Sequence, residues 1–272
     1  MELPLNRFKR AIAATAGPVP VGTWLLSGAP STAEAMGCAG FDFVVVDMEH
    51  VPIDTPQMVD LLRAVAATPA AAVTRVPWND MVMAKRALDA GANTLMFPFV
   101  QNADEARRAV AYTRYPPEGV RGVAGLQRGS RYGTVADYLT RAAAELCVIV
   151  QIETADALAQ LEAIAAVPGV DSIFVGPADL SASMGHLGDM DHPAVREKLR
   201  FAASECRRLG KPCGIVSFDP DMVLRYLDYG YTWVAVGSDL SLMVGGAQQH
   251  LARVRAGGDA AAPGSGPAQG AH

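Results

Sequence analysis

GFDFVVVD (residues 40–47) opens on a glycine, runs through aromatic and β-branched residues, and ends seven residues later on an aspartate. The same layout returns as GANTLMFP (91–98), GVDSIFVG (169–176) and GYTWVAVG (230–237). Each glycine follows a helix-like stretch, where a C′ residue in the left-handed conformation is favoured. The runs after the glycines are nearly continuously apolar, as parallel strands covered on both faces are. Four further runs, at 21–26, 71–76, 146–152 and 213–218, bring the number of expected strands to eight.

Helix-like segments lie between them at 55–66, 81–90, 103–113, 155–165, 193–209 and 220–229, with a first helix at 6–14. Eight strands alternating with helices predict an α/β fold, a (β/α)8 TIM barrel. An open doubly wound sheet is the structural alternative. It usually has fewer strands and a Gly-rich first turn, which VGTW (21–24) does not supply. One barrel domain is expected over 1–255, followed by a Gly/Ala/Pro tail at 256–272 that cannot bury a core and is expected to be disordered. The long segment 115–133, rich in Arg, Gly and Pro, is expected to order over the barrel mouth.

Half of the 272 residues are apolar and 19% are charged, ordinary for a globular enzyme. A net charge of −5 argues against a nucleic-acid face, which needs clustered Lys and Arg. No apolar run approaches the ~18 residues of a membrane span. The apolar stretch after Lys9 and Arg10 is too short for a signal peptide. The four cysteines, at 38, 147, 206 and 213, form no C-x-x-C pair, and Cys147 falls in an apolar strand; free thiols and a cytoplasmic location are expected.

In a barrel of this kind, chemistry gathers at the C-terminal ends of the strands. Those positions hold Asp47, Glu49 and His50 after the second strand, Arg75 after the third, Gln151 and Glu153 after the fifth, and Gly176, Pro177 and Asp179 after the sixth. Glu153 and Asp179 are a candidate oxygen-ligand pair for Mg²⁺ or Mn²⁺. The alternative is that each carboxylate caps the helix that follows it. His50 is a candidate general base with carboxylates near it to orient it, although a lone His is more often structural. Arg75 is placed to bind a carboxylate or stabilise an enolate; a surface ion pair is its alternative. His186, His192 and His250 show no ligand spacing and are expected to face solvent, and Asp191-His192-Pro193 reads as a helix start.

The blocks GFDFVVVDMEHVP (40–52), TRVPWND (74–80), PFVQNADEAR (98–107), RYPPEGVRGV (114–123), VQIET (150–154) and GPADLSASMG (176–185) closely resemble the HpcH/HpaI aldolases. These are metal-dependent class II pyruvate aldolases on a phosphoenolpyruvate/pyruvate-binding TIM barrel, including 4-hydroxy-2-oxoheptanedioate and 2-dehydro-3-deoxy-sugar-acid aldolases. The resemblance covers about residues 6–255. It implies a reversible cleavage of a 4-hydroxy-2-oxo acid to pyruvate, or an analogue such as hydroxypyruvate, plus an aldehyde, through an enolate held on the metal. It implies Glu153 and Asp179 as ligands of Mg²⁺ or Mn²⁺, with Co²⁺ as another candidate. Gln151, the Ala178-Asp179 backbone and Val216 would seat substrate, His50 would be the base, and Arg75 would stabilise the enolate. Asp89 would raise the basicity of His50. Asp89 closes a helix leading into the fourth strand, so it should lie at the bottom of its own barrel and reach such a His only from a neighbouring subunit. Asp47 is the nearer candidate within the chain. The resemblance also implies a homo-oligomer, a hexamer built as a trimer of dimers, and no Schiff-base lysine; Lys85, Lys198 and Lys211 all fall in or at the ends of helices.

The aldehyde is expected to contact residues 216–219 and the arginine-rich loop with Arg121, Arg128 and Arg131. Phe218 would narrow that pocket, whereas the arginines would favour an acidic aldehyde; subunit contact is the other role open to them. Two rival functions stay in view. One is a citrate-lyase-type acyl-CoA lyase, which needs a basic cleft for CoA phosphates. The other is a barrel that binds without catalysing.

Overall fold

The structure, a computed structural model, describes residues 1–256; the expectation about 257–272 lies outside the described residues. Eight strands close into one parallel barrel in sequence order, so the fold is a (β/α)8 barrel of the TIM type. They are β1 (Val21–Leu25), β2 (Phe43–Asp47), β3 (Ala71–Arg75), β4 (Thr94–Phe97), β5 (Cys147–Ile152), β6 (Ser172–Val175), β7 (Cys213–Ser217) and β8 (Trp233–Ser238). Each falls inside or within a residue of its expected run. Gly40, Gly91, Gly169 and Gly230 all take the left-handed conformation, with φ between 92° and 102°. A side chain there would strain each helix-to-strand turn.

The helices are α1 (Arg7–Ala13), α2 (Pro30–Cys38), α3 (Thr55–Ala66), α4 (Met81–Asp89), α5 (Ala103–Thr113), α6 (Tyr138–Arg141), α7 (Ala155–Ala159), α8 (Leu161–Ala165), α9 (Pro177–Ser183), α10 (Pro193–Arg208), α11 (Pro220–Tyr229) and α12 (Asp239–Arg255). The helix expected at 155–165 breaks at Gln160, giving α7 and α8. Four helices were not expected: α2, the single turn α6, α9 and α12. α2 buries only Ala33 and Gly37, and α12 only Asp239; the large apolar residues of α12 are exposed instead. α9 is a seven-residue insertion after β6. His192 caps α10 with Pro193 in its first turn, as read from the sequence. His186 and His192 do not simply face solvent: they stack on each other, ring centroids 3.5 Å apart.

Alternation along the strands separates two cores. Val44, Val46, Val148, Val150, Ile173 and Val175 face outward onto the helices. Phe43, Val45, Val73, Ile149, Phe174 and Trp233 face inward and fill the barrel. Their phase carries upward: two residues beyond Val45, Val73, Ile149 and Phe174 stand Asp47, Arg75, Gln151 and Gly176. The inward face therefore turns from apolar to polar at the upper rim. At the lower end α1 is the plug, with Phe8 edge-on to Phe43 at 5.0 Å and to Trp233 at 5.2 Å.

The segment 115–133 does not lie over the mouth. It connects α5 to β5, and a helix-to-strand connection sits at the N-terminal end of a barrel. Arg121 is fully buried there, 2.8 Å from Asp89 and 4.5 Å from the centre of the Tyr115 ring. Arg128 donates to the Ala90 carbonyl, and Arg131 ends the short turn 128–130. All four cysteines are free, and three of them, Cys147, Cys206 and Cys213, are buried. No described helix is long and apolar enough to cross a membrane.

Removing the plug side chain separates stability from chemistry. Phe8→Ala should destabilise the protein by about 3–5 kcal/mol in denaturant titration. Because Phe8 is at the opposite end from the polar rim, kcat measured below the transition should stay within about twofold; a large kcat loss would show that the two ends are coupled.

Candidate active site

β2 and β3 pair in register with Asp47 beside Arg75, so the two inward side chains leave the barrel together. Arg75 donates from Nε to Asp47 Oδ1 at 2.9 Å and from Nη2 to Oδ2 at 2.7 Å, a two-pronged bond at a site 0% exposed for Asp47. Its remaining Nη1 lies 2.8 Å from Glu49 Oε2, an ion pair set off the hydrogen-bond direction. The guanidinium also stacks 4.3 Å from the centre of the Trp24 ring. Held by two carboxylates and an aromatic face, Arg75 has few other places to go.

Asp47 also accepts from the backbone N–H of Glu49 at 3.0 Å and of His50 at 3.4 Å. This side-chain-to-backbone turn ends β2 and leaves Glu49, two residues on, facing inward in the strand's own phase. His50 projects outward from the same turn, its side chain 66% exposed, with Nε2 4.0 Å from Glu49 Oε2. Within the chain, then, the carboxylate that faces His50 is Glu49. Asp47 is occupied by Arg75, which corrects the expectation that it orients the imidazole.

Glu153 follows β5 and is buried under the rim, against Gly176. A Cβ on Gly176 would lie 2.9 Å from Glu153 Cγ and 3.2 Å from Gln151 Nε2, so only glycine lets β6 pass this close. The Glu153 carboxyl is pushed up to about 8, first by burial, then by the nearby charges of Glu49 and Asp179; Arg75 offsets part of this. The Phe99 amide also favours the charged form, from a residue in the left-handed conformation at φ 55°. Burial raises Glu49 as well, against the pull of Arg75. Three buried oxygens, Glu153 Oε1, Glu49 Oε2 and Gln151 Oε1, have no hydrogen-bond donor.

The capping alternative for the carboxylates fails. Thr154, not Glu153, caps α7, with Oγ1 accepting from Ala157 N at 3.1 Å. α9 has no side-chain cap at all, although Asp179 in its first turn is favourably placed against the helix dipole. A cavity of about 290 Å³ opens above these groups, lined on its polar side by Asp47, His50, Arg75, Gln151 and Asp179. Ala178 and Val216 also line it, so nearly every residue expected at the site reaches this rim.

Asp89 does not. It ends α4 below β4, where Arg121 holds it, and a single barrel keeps it from His50. The arginines 121, 128 and 131 are absent from the mouth for the same topological reason. Conversely, Trp24, Leu26, Phe174, Met190 and Phe218 line the cavity although the sequence reading gave none of them a catalytic or binding role beyond the narrowing expected of Phe218. The inward phase of β1 and β6 would have found Trp24 and Phe174.

Residues 21–245 match the family described as HpcH/HpaI aldolase/citrate lyase. The chain belongs to the HpcH/HpaI family. It is 48% identical over 236 residues to a 2-dehydro-3,6-dideoxy-6-sulfogluconate aldolase from Pseudomonas putida, covering 87% of this chain and 92% of that one. It is 45% identical over 243 residues to a hydroxypyruvate/pyruvate aldolase from Sagittula stellata, covering 89% and 95%. A crystal structure of an HpcH/HpaI aldolase/citrate lyase family protein from Burkholderia cenocepacia superposes with a TM-score of 0.89 at 42% identity, over 92% of this chain and 99% of that one. Like its HpcH/HpaI relatives, the chain is an aldolase, a carbon–carbon lyase.

The donor set of this HpcH/HpaI site fits a hard divalent cation. It offers oxygen atoms only, burial raises both Glu153 and Glu49, nearby carboxylates raise them further, and three oxygens lack a donor. Among the described residues no group of three or more His, Cys, Asp and Glu side chains could hold a metal. A cation here would therefore rest on two carboxylates plus water and substrate oxygens, as Mg²⁺ commonly does.

The raised Glu153 has a sign that can be measured. Its folded value lies above the unfolded one, so the metal-free protein loses stability as pH rises from about 4.5 to about 8. Glu153→Gln should stabilise the metal-free protein at pH 8 by about 1–3 kcal/mol and leave it nearly unchanged at pH 4.5. Thermal unfolding at both pH values decides this; equal effects would contradict the assignment. Gly176→Ala should leave the fold intact and displace Glu153, lowering kcat/KM at least about tenfold; unchanged kinetics would show that the close approach is dispensable.

Proposed function

We propose that this enzyme reversibly splits a 4-hydroxy-2-oxo acid into pyruvate, or a close analogue such as hydroxypyruvate, and an aldehyde, using a divalent cation held by Glu153 and Asp179. The observation that carries the proposal is the crowding of Glu153, Glu49 and Asp179 around donor-less oxygens beside one fixed guanidinium. Mg²⁺ or Mn²⁺ suits that oxygen set best, with Co²⁺ a further candidate. When bound, the cation supplies Lewis-acid polarisation of the 2-oxo acid.

The chain's own groups do the rest. The backbone N–H groups of Ala178 and Asp179, in the first turn of α9, receive the substrate carboxylate, and Gln151 and Val216 flank it. Arg75, already locked by Asp47 and Glu49, presents its positive charge to the enolate oxygen without having to reorganise. His50, at the open side of the cavity, takes a proton from the pyruvate C3 methyl. The resulting carbon nucleophile forms a bond to the aldehyde carbonyl carbon, whose oxygen then takes up a proton. Cleavage runs the same steps backwards. Glu49 is the carboxylate that faces the imidazole within one chain. A catalytic part for Asp89 requires a neighbouring barrel.

We also read the protein as a cytoplasmic homo-oligomer. The support is α12, whose Leu242, Met243, Val244 and Leu251 are all exposed while only Asp239 is buried.

Exchange of the pyruvate methyl protons in D₂O, followed by NMR with and without Mg²⁺ or Mn²⁺, tests the reading. Metal-dependent exchange is expected; its absence contradicts the proposal. Arg75→Lys should lower exchange and kcat by roughly 10²-fold or more, because a point charge replaces the planar fork that Asp47 fixes. Unchanged turnover would remove Arg75 from the chemistry.

A further inference from the structure

Glu153 stands in a two-residue link, Glu153-Thr154, between the end of β5 at Ile152 and the start of α7 at Ala155. So short a link carries its side chains wherever its two ends are held. The turn after β4 holds both ends. Val100 N donates to the Gln151 carbonyl at 3.0 Å, which continues the β4–β5 pairing past its last strand partners, Phe97 and Val150. On the far side of Glu153, Thr154 Oγ1 donates to Gln101 Oε1 at 2.7 Å. Consecutive residues of one turn thus bracket Glu153 in the next.

The Thr154 hydroxyl has a single proton to give. It already accepts from Ala157 N at 3.1 Å as the cap of α7, so the proton goes to Gln101, whose amide turns its oxygen towards Thr154. Gln101 is fixed in its turn. Its backbone N–H donates to Glu105 Oε2 at 2.8 Å, and Nε2 reaches the Phe99 carbonyl at 3.4 Å. Phe99, left-handed at φ 55°, stacks on Trp78 with ring centroids 5.8 Å apart. A further tie joins the link to the helix that carries Asp179: Ala155 N donates to Ser183 Oγ at 3.1 Å, at the end of α9. The amide of Gln101 holds Thr154 without adding charge where Glu49, Glu153 and Asp179 already crowd one another.

We infer that Gln101 is a positioning residue for the cation site: its bond to Thr154 sets where the Glu153 carboxylate stands relative to Asp179. This rests on the reading above that Glu153 and Asp179 hold a divalent cation. Mg²⁺ and its like demand near-octahedral oxygen geometry, so groups that fix the ligands from behind are felt as affinity. Gln101 does not line the cavity, and it acts through Thr154. Without its acceptor oxygen, Thr154 still caps α7, but the link is held to the β4 turn through Gln151 alone. Glu153 then gains freedom that binding has to remove, and that ordering costs affinity.

Binding of Mn²⁺ to the metal-free protein without substrate, read from the loss of the free-ion EPR signal, tests this. Gln101→Leu, which keeps the size and removes the acceptor, should raise Kd at least about tenfold. Thr154→Val should raise it similarly, whereas Thr154→Ser, which keeps the hydroxyl, should stay within about twofold of wild type. That pair decides the matter if the leucine variant does not fold. In the Thr154→Val background, Gln101→Leu should change Kd by less than about twofold, because the tie is already gone. Thermal unfolding of the metal-free proteins runs alongside, since a merely structural part for Gln101 would lower Tm and leave Kd where it was. Mn²⁺ binding by the wild type with unchanged Kd in Gln101→Leu overturns this inference alone. So does an effect of Gln101→Leu that persists in full on Thr154→Val. Absence of Mn²⁺ binding by the wild type overturns the cation reading and this inference with it.

Discussion

The two-pronged bond between Asp47 and Arg75 is the constraint on which the rest of the site depends. It exists because β2 and β3 pair in register and both chains end on an inward residue. The same Asp47 carboxylate turns the backbone at Glu49 and His50, so one side chain sets three others. Glu49 then comes inward against the free edge of the guanidinium, and His50 goes outward to the open cavity. Across the barrel, Gly176 lets Glu153 press into the same space, where one fixed cation faces several carboxylates. A lone guanidinium cannot neutralise that many buried oxygens, and this imbalance is the physical support for the proposed divalent cation.

Much of this was legible in the chain. Eight nearly continuous apolar runs, four of them opened by a glycine, read as parallel strands, because strands covered on both faces need no polar positions. Once the strands were placed, the end-of-strand residues followed, and Asp47, Arg75, Gln151, Glu153 and Asp179 all reached the rim by simple alternation or the turn after it. Whether the two carboxylates were caps could not be read from residue type, since Asp and Glu suit helix starts on any grounds. The hydrogen bonds settled that: Thr154 does the capping of α7, and α9 goes uncapped.

One misreading arose because an arginine-rich loop looks functional wherever it is. The segment 115–133 was placed by composition rather than by connectivity, and a link from helix to strand belongs at the lower end of the barrel. The same rule had correctly put Asp89 at the bottom. Glu49, two residues beyond Asp47, keeps the inward phase of β2 and was read at the rim, but residue type alone did not show that it meets both Arg75 and His50. α2 was invisible because it is short and buries only small residues, whereas α12 has large apolar residues that lie exposed rather than on the barrel.

The central claim is that the crowded carboxylates hold a divalent cation and that Glu153 gives up its proton to do so. Calorimetric titration of the metal-free protein with Mn²⁺ near pH 7, repeated in buffers of different ionisation enthalpy, measures both events at once. The account predicts binding with release of a substantial fraction of a proton, and loss of both in Glu153→Gln. Binding that releases no proton, or that persists unchanged in Glu153→Gln, would contradict it.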